Sequence, residues 1–411
     1  MKQDVVVLTA DEIVDRLMSP EIVQDPYPLY ARLRTIAPNF RSARGVRFVS
    51  TYELVEELLI SKDFRSDIGM PPVEVNLESS EFFRIAGLSM PLLNPPVHTR
   101  IRSLVAPAFS HKMVRKRQAD IQRRLDALLD GIERKLGSNG RAELVEDLTG
   151  PLPLGVFCEL IGVPQEPRLR QWARVSATLP GAPVITEDLM RQAEQVALEF
   201  GTFIRSLIDE RRREPGEDTV SALIQAEAEG EQLTENEMIS SLWTIMTAGF
   251  ETTTAGLTSV LYLLLLNPDW RVQLASDPSL ISSAVDEMLR FDAAVQCPFN
   301  RVAIRSTTLG GEAVQEGERA VALIGAANRD PEAFPDPDTV ILDRPASKGT
   351  ASFGAGIHSC IGRALSRHDI ILTVDSFLRR FPNLRLAEQE IIWNRLLPVR
   401  QISELYVEPA V

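Results

Sequence analysis

The 411 residues suffice for one large domain or two ordinary ones, and 44% hydrophobic content supplies a real core. A net charge of −13 argues against nucleic acid as a general partner. Three widely spaced cysteines, Cys158, Cys297 and Cys360, make no disulfide framework, and the apolar runs 5–8 and 260–266 are too short for a signal peptide or a membrane span. A soluble, cytoplasmic protein is expected.

Asp25-Pro26-Tyr27-Pro28 opens a short helix reaching Arg34, with proline where a first turn tolerates it. Residues 40–49 alternate loosely around Gly45 and predict a small hairpin, and 52–59 predict a helix. From Asp67 to Pro96 periodicity is weak, which predicts a long irregular stretch. After Asn94-Pro95-Pro96 a helix places His98 and Arg102, at i and i+4, on one face. A long helix over 112–136 opens on Lys112, Arg115, Lys116 and Arg117 and closes at Gly137-Ser138-Asn139-Gly140. Further helices run to Ile161, over 168–177, and from a Thr186 cap to Arg213.

The longest helix starts at Thr234-Glu235-Asn236-Glu237, a capping box, and runs to Leu266, where Asn267-Pro268 stops it. Its middle is Thr247-Ala248-Gly249-Phe250-Glu251-Thr252-Thr253-Thr254. Gly and clustered β-branched residues each cost a helix up to roughly 1 kcal/mol relative to Ala, and such a local contradiction marks a candidate site. Thr hydroxyls there can also bond the i−4 carbonyl and bend the helix. A helix over 281–291 carries Glu287 and Arg290, residues 299–324 alternate around Gly310-Gly311 and Gly317 as strands, and 330–345 form a Pro-rich loop. A helix behind Cys360 reaches Arg379, and short strands fill 384–407. The fold class is mainly α, with β-richer parts at about 36–60, 298–324 and 384–409 of a single 1–411 domain.

Cys360 ends a compact loop, Ser352-Phe353-Gly354-Ala355-Gly356-Ile357-His358-Ser359-Cys360. Its glycines permit φ > 0 and the close approach of a flat ligand, and a helix start behind the Cys favours its thiolate. A thiolate can attack carbon, form a disulfide or bind a metal. No second Cys or His pair completes a zinc site, and nothing points to the partner of a Cys nucleophile. Axial ligation of a haem iron needs one Cys, a glycine-rich loop and a helix behind it. Haem propionates want cationic donors, for which His98, Arg102, Arg301 and His358 are candidates.

Phe353-x-x-Gly356-x-His358-x-Cys360-x-Gly362 resembles the haem-binding loop of cytochrome P-450 monooxygenases. Four further stretches match in the family's order. Ala248-Gly249-Phe250-Glu251-Thr252-Thr253 resembles its oxygen-activating helix centre, and Glu287-x-x-Arg290 its fixed Glu/Arg pair. Ala327-Asn328-Arg329-Asp330-Pro331 with Phe334-Pro335-Asp336-Pro337 resembles its meander, and His98-x-x-x-Arg102 its propionate-binding helix. Asn94 stands where many bacterial relatives have Asp, and Glu251 where Asp is also common.

The resemblance implies a cytochrome P-450 fold: a large helical domain with a smaller β-containing region, haem b lying between the long central helix and the Cys-loop helix. It makes Cys360 the axial iron ligand and places His98, Arg102, Ala248, Gly249, Arg301, Phe353, Gly354, His358 and Gly362 around the haem. It implies that Thr252 holds the reacting oxygen and a water while Glu251 links that point to solvent protons. A hydrophobic pocket would be lined by the stretches 68–90, 179–190 and 294–299, which hold Met90, Val295, Gln296 and Cys297, together with Met246, Ala248 and Leu396. The implied reaction inserts one atom of O2 into a hydrophobic small molecule such as a polyketide, macrolide or terpenoid. Electrons would come from NAD(P)H through a separate ferredoxin reductase and ferredoxin, docked on the basic residues near Arg115 with Arg363 and Arg367. No membrane or nucleic-acid partner and a monomer are expected. A peroxide-using haem-thiolate enzyme and a haem-based sensor are the alternatives.

Overall fold

The computed structural model describes residues 8–19, 24–67, 80–163, 168–181, 186–228, 233–298, 300–345, 348–394 and 398–410. Helices α1 (Ala10–Leu17) and α2 (Tyr27–Ile36) precede the hairpin β1 (Asn39–Arg41) and β2 (Val46–Val49). Then come α3 (Tyr52–Ile60), β3 (Phe64–Asp67), α4 (Glu81–Ala86), α5 (Val97–Val105), α6 (His111–Asn139) and β4 (Ala142–Glu143). Helices α7 (Pro151–Ile161), α8 (Arg168–Gly181), α9 (Glu187–Arg213) and α10 (Thr219–Ala228) lead to α11 (Glu235–Leu266). They are followed by α12 (Pro268–Ser276), α13 (Ile281–Phe291), β5 (Asn300–Ala303), β6 (Thr307–Leu309), β7 (Glu312–Val314) and β8 (Arg319–Ala322). The chain closes with α14 (Ile324–Ala327), α15 (Arg363–Arg380), β9 (Leu384–Leu386) and β10 (Tyr406–Pro409). Two compact units emerge from the contacts.

The first unit comprises Met1–Gly69, Ser283–Cys360 and Ile391–Ser403. Its sheet has the order β1-β2-β8-β5-β3, in which β2 and β8 run parallel and the other pairs antiparallel. Successive strand residues point to opposite faces, so one sheet carries two cores. Phe48 and Val321 pack with Ile13, Leu17, Tyr30 and Leu33 of α1 and α2. Val49, Ala320 and Ala322 pack with Leu58, Leu59 and Phe64 on the other side. The hairpin turn uses Gly45 at φ +78°, and Gly310, Gly311 and Gly317 also hold positive φ.

The second unit comprises Met70–Ser282, Ile361–Glu390 and Glu404–Val411. It is helical around α11, which packs against α4, α7, α8, α9, α12 and α15; a small sheet of order β4-β10-β9 joins it. The capping box forms as the sequence predicts: the Thr234 hydroxyl accepts from Glu237 N at 3.3 Å, and Glu237 Oε2 accepts from Thr234 N at 2.8 Å. Leu242, Leu257, Leu261 and Leu264 are fully buried, each contributing roughly 1.5–3 kcal/mol. Among the described residues, α11 is long and apolar enough to cross a bilayer, but 72% of its most apolar window is buried by neighbouring protein.

Three sequence expectations change. The stretch 67–96 is not irregular throughout, because Ser80 caps the short α4, which buries Phe82, Ile85 and Ala86; six residues are too few to display a period. Helices α10 and α12 escape the sequence reading. The helix behind Cys360 starts only at Arg363, because the Cys360 N–H is taken by the Phe353 carbonyl and a turn intervenes.

Candidate active site

In the first unit, the Cys loop is built from the meander upward. Arg290 and Glu287 are both buried and meet through two hydrogen bonds, Nε to Oε2 at 2.7 Å and NH2 to Oε1 at 2.8 Å. Arg290 NH1 also donates to the carbonyls of Asn328 at 2.7 Å and Pro337 at 2.9 Å. Asn328 in turn donates from Nδ2 to Ser352 Oγ and accepts at Oδ1 from Ala351 N, each at 2.8 Å. Ser352 Oγ donates to the Leu289 carbonyl at 2.7 Å, so the loop entrance is tied to α13.

Within the loop, Gly354 N donates to Ala351 O and Cys360 N to Phe353 O, both at 2.8 Å. Gly356 sits at φ +68°, where a Cβ would lie 2.6 Å from the Leu59 carbonyl oxygen and 3.1 Å from Ile60 Cα. Only glycine satisfies both constraints. Gly354, at φ +64°, faces open space: a Cβ there meets nothing within 4 Å. The loop thereby presents an exposed Cys360 beside an uncluttered backbone, while Phe353 and His358 are half-buried. Arg301, on β5, is buried and donates to Ser66 Oγ at 3.1 Å; desolvation pushes its guanidinium down to about 10. Gln296 is buried with Nε2 on the Ala293 carbonyl at 2.6 Å, and Cys297, packed by Tyr30, has its thiol raised to about 12 by burial. Val295 is half-buried and bridges Val399.

In the second unit, Thr252 Oγ1 donates to the Ala248 carbonyl at 2.6 Å, the back-bond that lets a Thr sit inside a helix. Ala248 and Gly249 are exposed, and a Cβ on Gly249 meets nothing within 4 Å. Glu251 is half-buried with Oε1 shielded and unpartnered; burial raises its carboxyl above the ordinary range, against the pull of Arg174 and Arg170. His98 and Arg102 share α5, and burial, then the Arg102 charge, hold the His98 imidazolium below its usual range. Met90 and Met246 are buried. Gly362 precedes α15 at an ordinary φ of −84°. Leu396 lies outside the described residues, as do 68–79, 182–185 and Phe299 of the expected pocket stretches.

Of the basic residues singled out in the sequence, Lys116 pairs with Glu217, Arg117 donates to the Glu159 carbonyl at 2.9 Å, and Arg367 donates to the Ser282 carbonyl at 3.2 Å. Lys112, Arg115 and Arg363 remain exposed on α6 and α15, which pack together. Sequence reasoning missed Arg344, which reaches Glu287 with Nε at 3.0 Å from both carboxylate oxygens; a lone Arg in the Pro-rich loop was the available signal.

Residues 170–397 match the family description "Cytochrome P450". The chain is 31% identical to cytochrome P450 107B1 of Saccharopolyspora erythraea, covering 98% of this chain and 100% of that protein. The chain belongs to the cytochrome P450 family. A second relative is the mycinamicin IV hydroxylase/epoxidase of Micromonospora griseorubida, 35% identical over 77% of this chain and 78% of that one. A solved cytochrome P450, P450BioI in complex with a hexadec-9Z-enoic acid-ligated acyl carrier protein, superposes with a TM-score of 0.86 at 28% identity, covering 94% of this chain and 99% of that one. The protein is therefore a cytochrome P450 monooxygenase with the mainly α fold of that family, whose catalysis depends on haem and O2. The residues present suit a haem: Cys360, whose thiol is exposed, is fixed by its backbone N–H donating to the Phe353 carbonyl, and Gly354 leaves space beside the loop backbone.

Proposed function

We propose that this cytochrome P450 oxidises a hydrophobic natural product of the polyketide, macrolide or terpenoid kind by hydroxylation or epoxidation, in the cytoplasm. The observation that carries the reading is the loop itself: an exposed Cys360 held by its own backbone and by the Glu287–Arg290–Asn328–Ser352 chain. A tailoring hydroxylase/epoxidase among the relatives supports the substrate class. Mostly apolar candidate lining residues, Met90, Met246, Ala248 and Val295, agree with it.

Haem b, held by Cys360 through its thiolate, would supply O2 activation and transfer of one oxygen atom. Arg301, His98, Arg102 and His358 would hold its propionates by charge-assisted hydrogen bonds. Gly249 and Ala248 are exposed and leave open space beside the α11 backbone, which would suit O2 and substrate. The Thr252 hydroxyl donates to the Ala248 carbonyl in this state and can rotate to donate to oxygen or to hold a water. Glu251, with a carboxyl made easier to protonate by burial, passes protons toward Thr252. Exposed Lys112, Arg115 and Arg363 form the surface proposed for an acidic ferredoxin, itself reduced from NAD(P)H by a reductase.

Substrate-dependent NADPH consumption with a surrogate ferredoxin and its reductase tests this reading, after a compound-library screen for the low- to high-spin shift of the haem band. Consumption that requires both proteins and yields an oxygenated product supports it. Turnover supported by peroxide alone, or binding without turnover, selects the peroxide-using enzyme or the sensor.

A further inference from the structure

We infer that Glu194 is a positioning residue that holds α4 against α9 and so sets how fast large ligands enter and leave the substrate pocket. The inference rests on the reading above, in which the stretch ending at Met90 lines that pocket. A six-residue helix is too short to be stable alone, so something outside it must fix its ends. At the N-terminal end one carboxylate accepts three donors: Ser80 Oγ at 2.6 Å, Glu81 N at 2.7 Å and Phe82 N at 3.1 Å, all on Glu194. Glu194 is half-buried, so water competes weakly for those donors.

The rest of α9 is shaped to receive the same helix. Gly201 and Arg205 lie seven and eleven residues beyond Glu194, on one helical stripe. Arg205 NH2 donates to Glu81 Oε1 at 2.9 Å, and a Cβ at Gly201 would stand 3.0 Å from that same oxygen. The far end of α4 is fastened separately to α11. Ser240 Oγ donates to the Ile85 carbonyl at 2.6 Å, and Ser89 and Thr244 share a hydroxyl bond at 2.7 Å, one residue before buried Met90. Phe82 packs edge-on against Trp243, with ring centroids 6.2 Å apart. The far end is thus bolted to the long helix, while the near end has its backbone N–H groups held by Glu194, beside the Arg205–Glu81 pair and the Phe82 ring against Trp243. Loss of that carboxylate frees the entry end without dismantling the helix.

Glu194→Gln tests this, because it keeps the shape but leaves one oxygen for three donors. In the haem-loaded protein, amide exchange over residues 81–86 should accelerate about tenfold, the weight of one charge-assisted hydrogen bond, with the α11 backbone unchanged. Stopped-flow release of a phenyl-substituted imidazole from the haem should accelerate by a similar factor, while binding of cyanide, which is small, stays the same. Ser80→Ala removes one of the three donors and also the cap acceptor of Phe83 N, so it should accelerate exchange over 81–86 in the same direction. Unchanged exchange over 81–86 in both variants overturns the latch. Azole and cyanide rates that move together overturn its role in ligand passage. A wild-type haem band that does not respond to the azole overturns the pocket reading of the preceding subsection instead, and the exchange result still decides the latch.

Discussion

Arg290 donates to the Asn328 backbone carbonyl at 2.7 Å, and through it a buried ion pair on α13 reaches the entrance of the Cys360 loop. Glu287 compensates two guanidiniums at once, those of Arg290 and Arg344, and accepts from Ile341 N at 2.9 Å. Removing one partner of a buried pair leaves an uncompensated charge, which costs about 3–5 kcal/mol. Glu287→Ala should therefore lower the urea midpoint by that equivalent and release haem readily. A midpoint equal to that of the wild type would show that the pair carries no such weight.

Cys360→His replaces a thiolate by a neutral nitrogen donor while keeping the Phe353 backbone bond, which involves no side chain. The reduced protein with carbon monoxide should lose the thiolate-type absorption band yet still bind haem. An unchanged spectrum would remove Cys360 from the role of ligand.

Much of this layout is legible in the sequence because its signals are local. The Thr234 capping box, the Thr186 cap and the glycine turns at 45, 310–311 and 317 act through neighbouring backbone groups, and each appears where its residues predict. The long-range links are not legible. Nothing in the spacing says that Asn328 reaches Ser352, that Arg344 reaches Glu287, or that Glu194 caps a helix more than one hundred residues earlier; each pairing depends on how helices pack. The partners of the basic residues are equally hidden from the sequence: Lys116 pairs with the exposed Glu217, and Arg117 donates to the Glu159 carbonyl.

Thr252→Ala removes the hydroxyl that donates to the Ala248 carbonyl, a bond the helix can forgo because Ala has the higher helix propensity. Haem and substrate binding should persist. Electrons from NADPH should be diverted to hydrogen peroxide, assayed as peroxide formed per NADPH consumed. Coupling equal to wild type would sink the assignment of Thr252.

Glu251 carries a pH signature. Burial raises its carboxyl, so the proton-donating form persists to higher pH than an ordinary Glu and is lost as pH rises through the folded value. Product formed per NADPH should fall along that alkaline limb. Glu251→Gln should be slower by roughly 10²-fold or more and flat across the same range. A limb that survives in Glu251→Gln belongs to another group.

Asp369, on α15, is 2% exposed with Oδ1 unpartnered, and burial, then the negative Glu159, push its carboxyl well above the usual range. Glu159 is itself paired with Arg124 at 2.8 Å, so Asp369 stays neutral beside an occupied ion pair. The folded chain keeps a proton here that the unfolded chain releases above about pH 4. Stability therefore declines as pH rises from that value toward the folded one, at about 1.4 kcal/mol per pH unit for this single proton. Asp369→Asn retains the shape and has no proton to lose. It should match the wild type near pH 4 and exceed it at pH 8 when urea unfolding is followed at both values. A variant less stable at pH 8 would mean that Asp369 is ionised in the fold and paired with a cation.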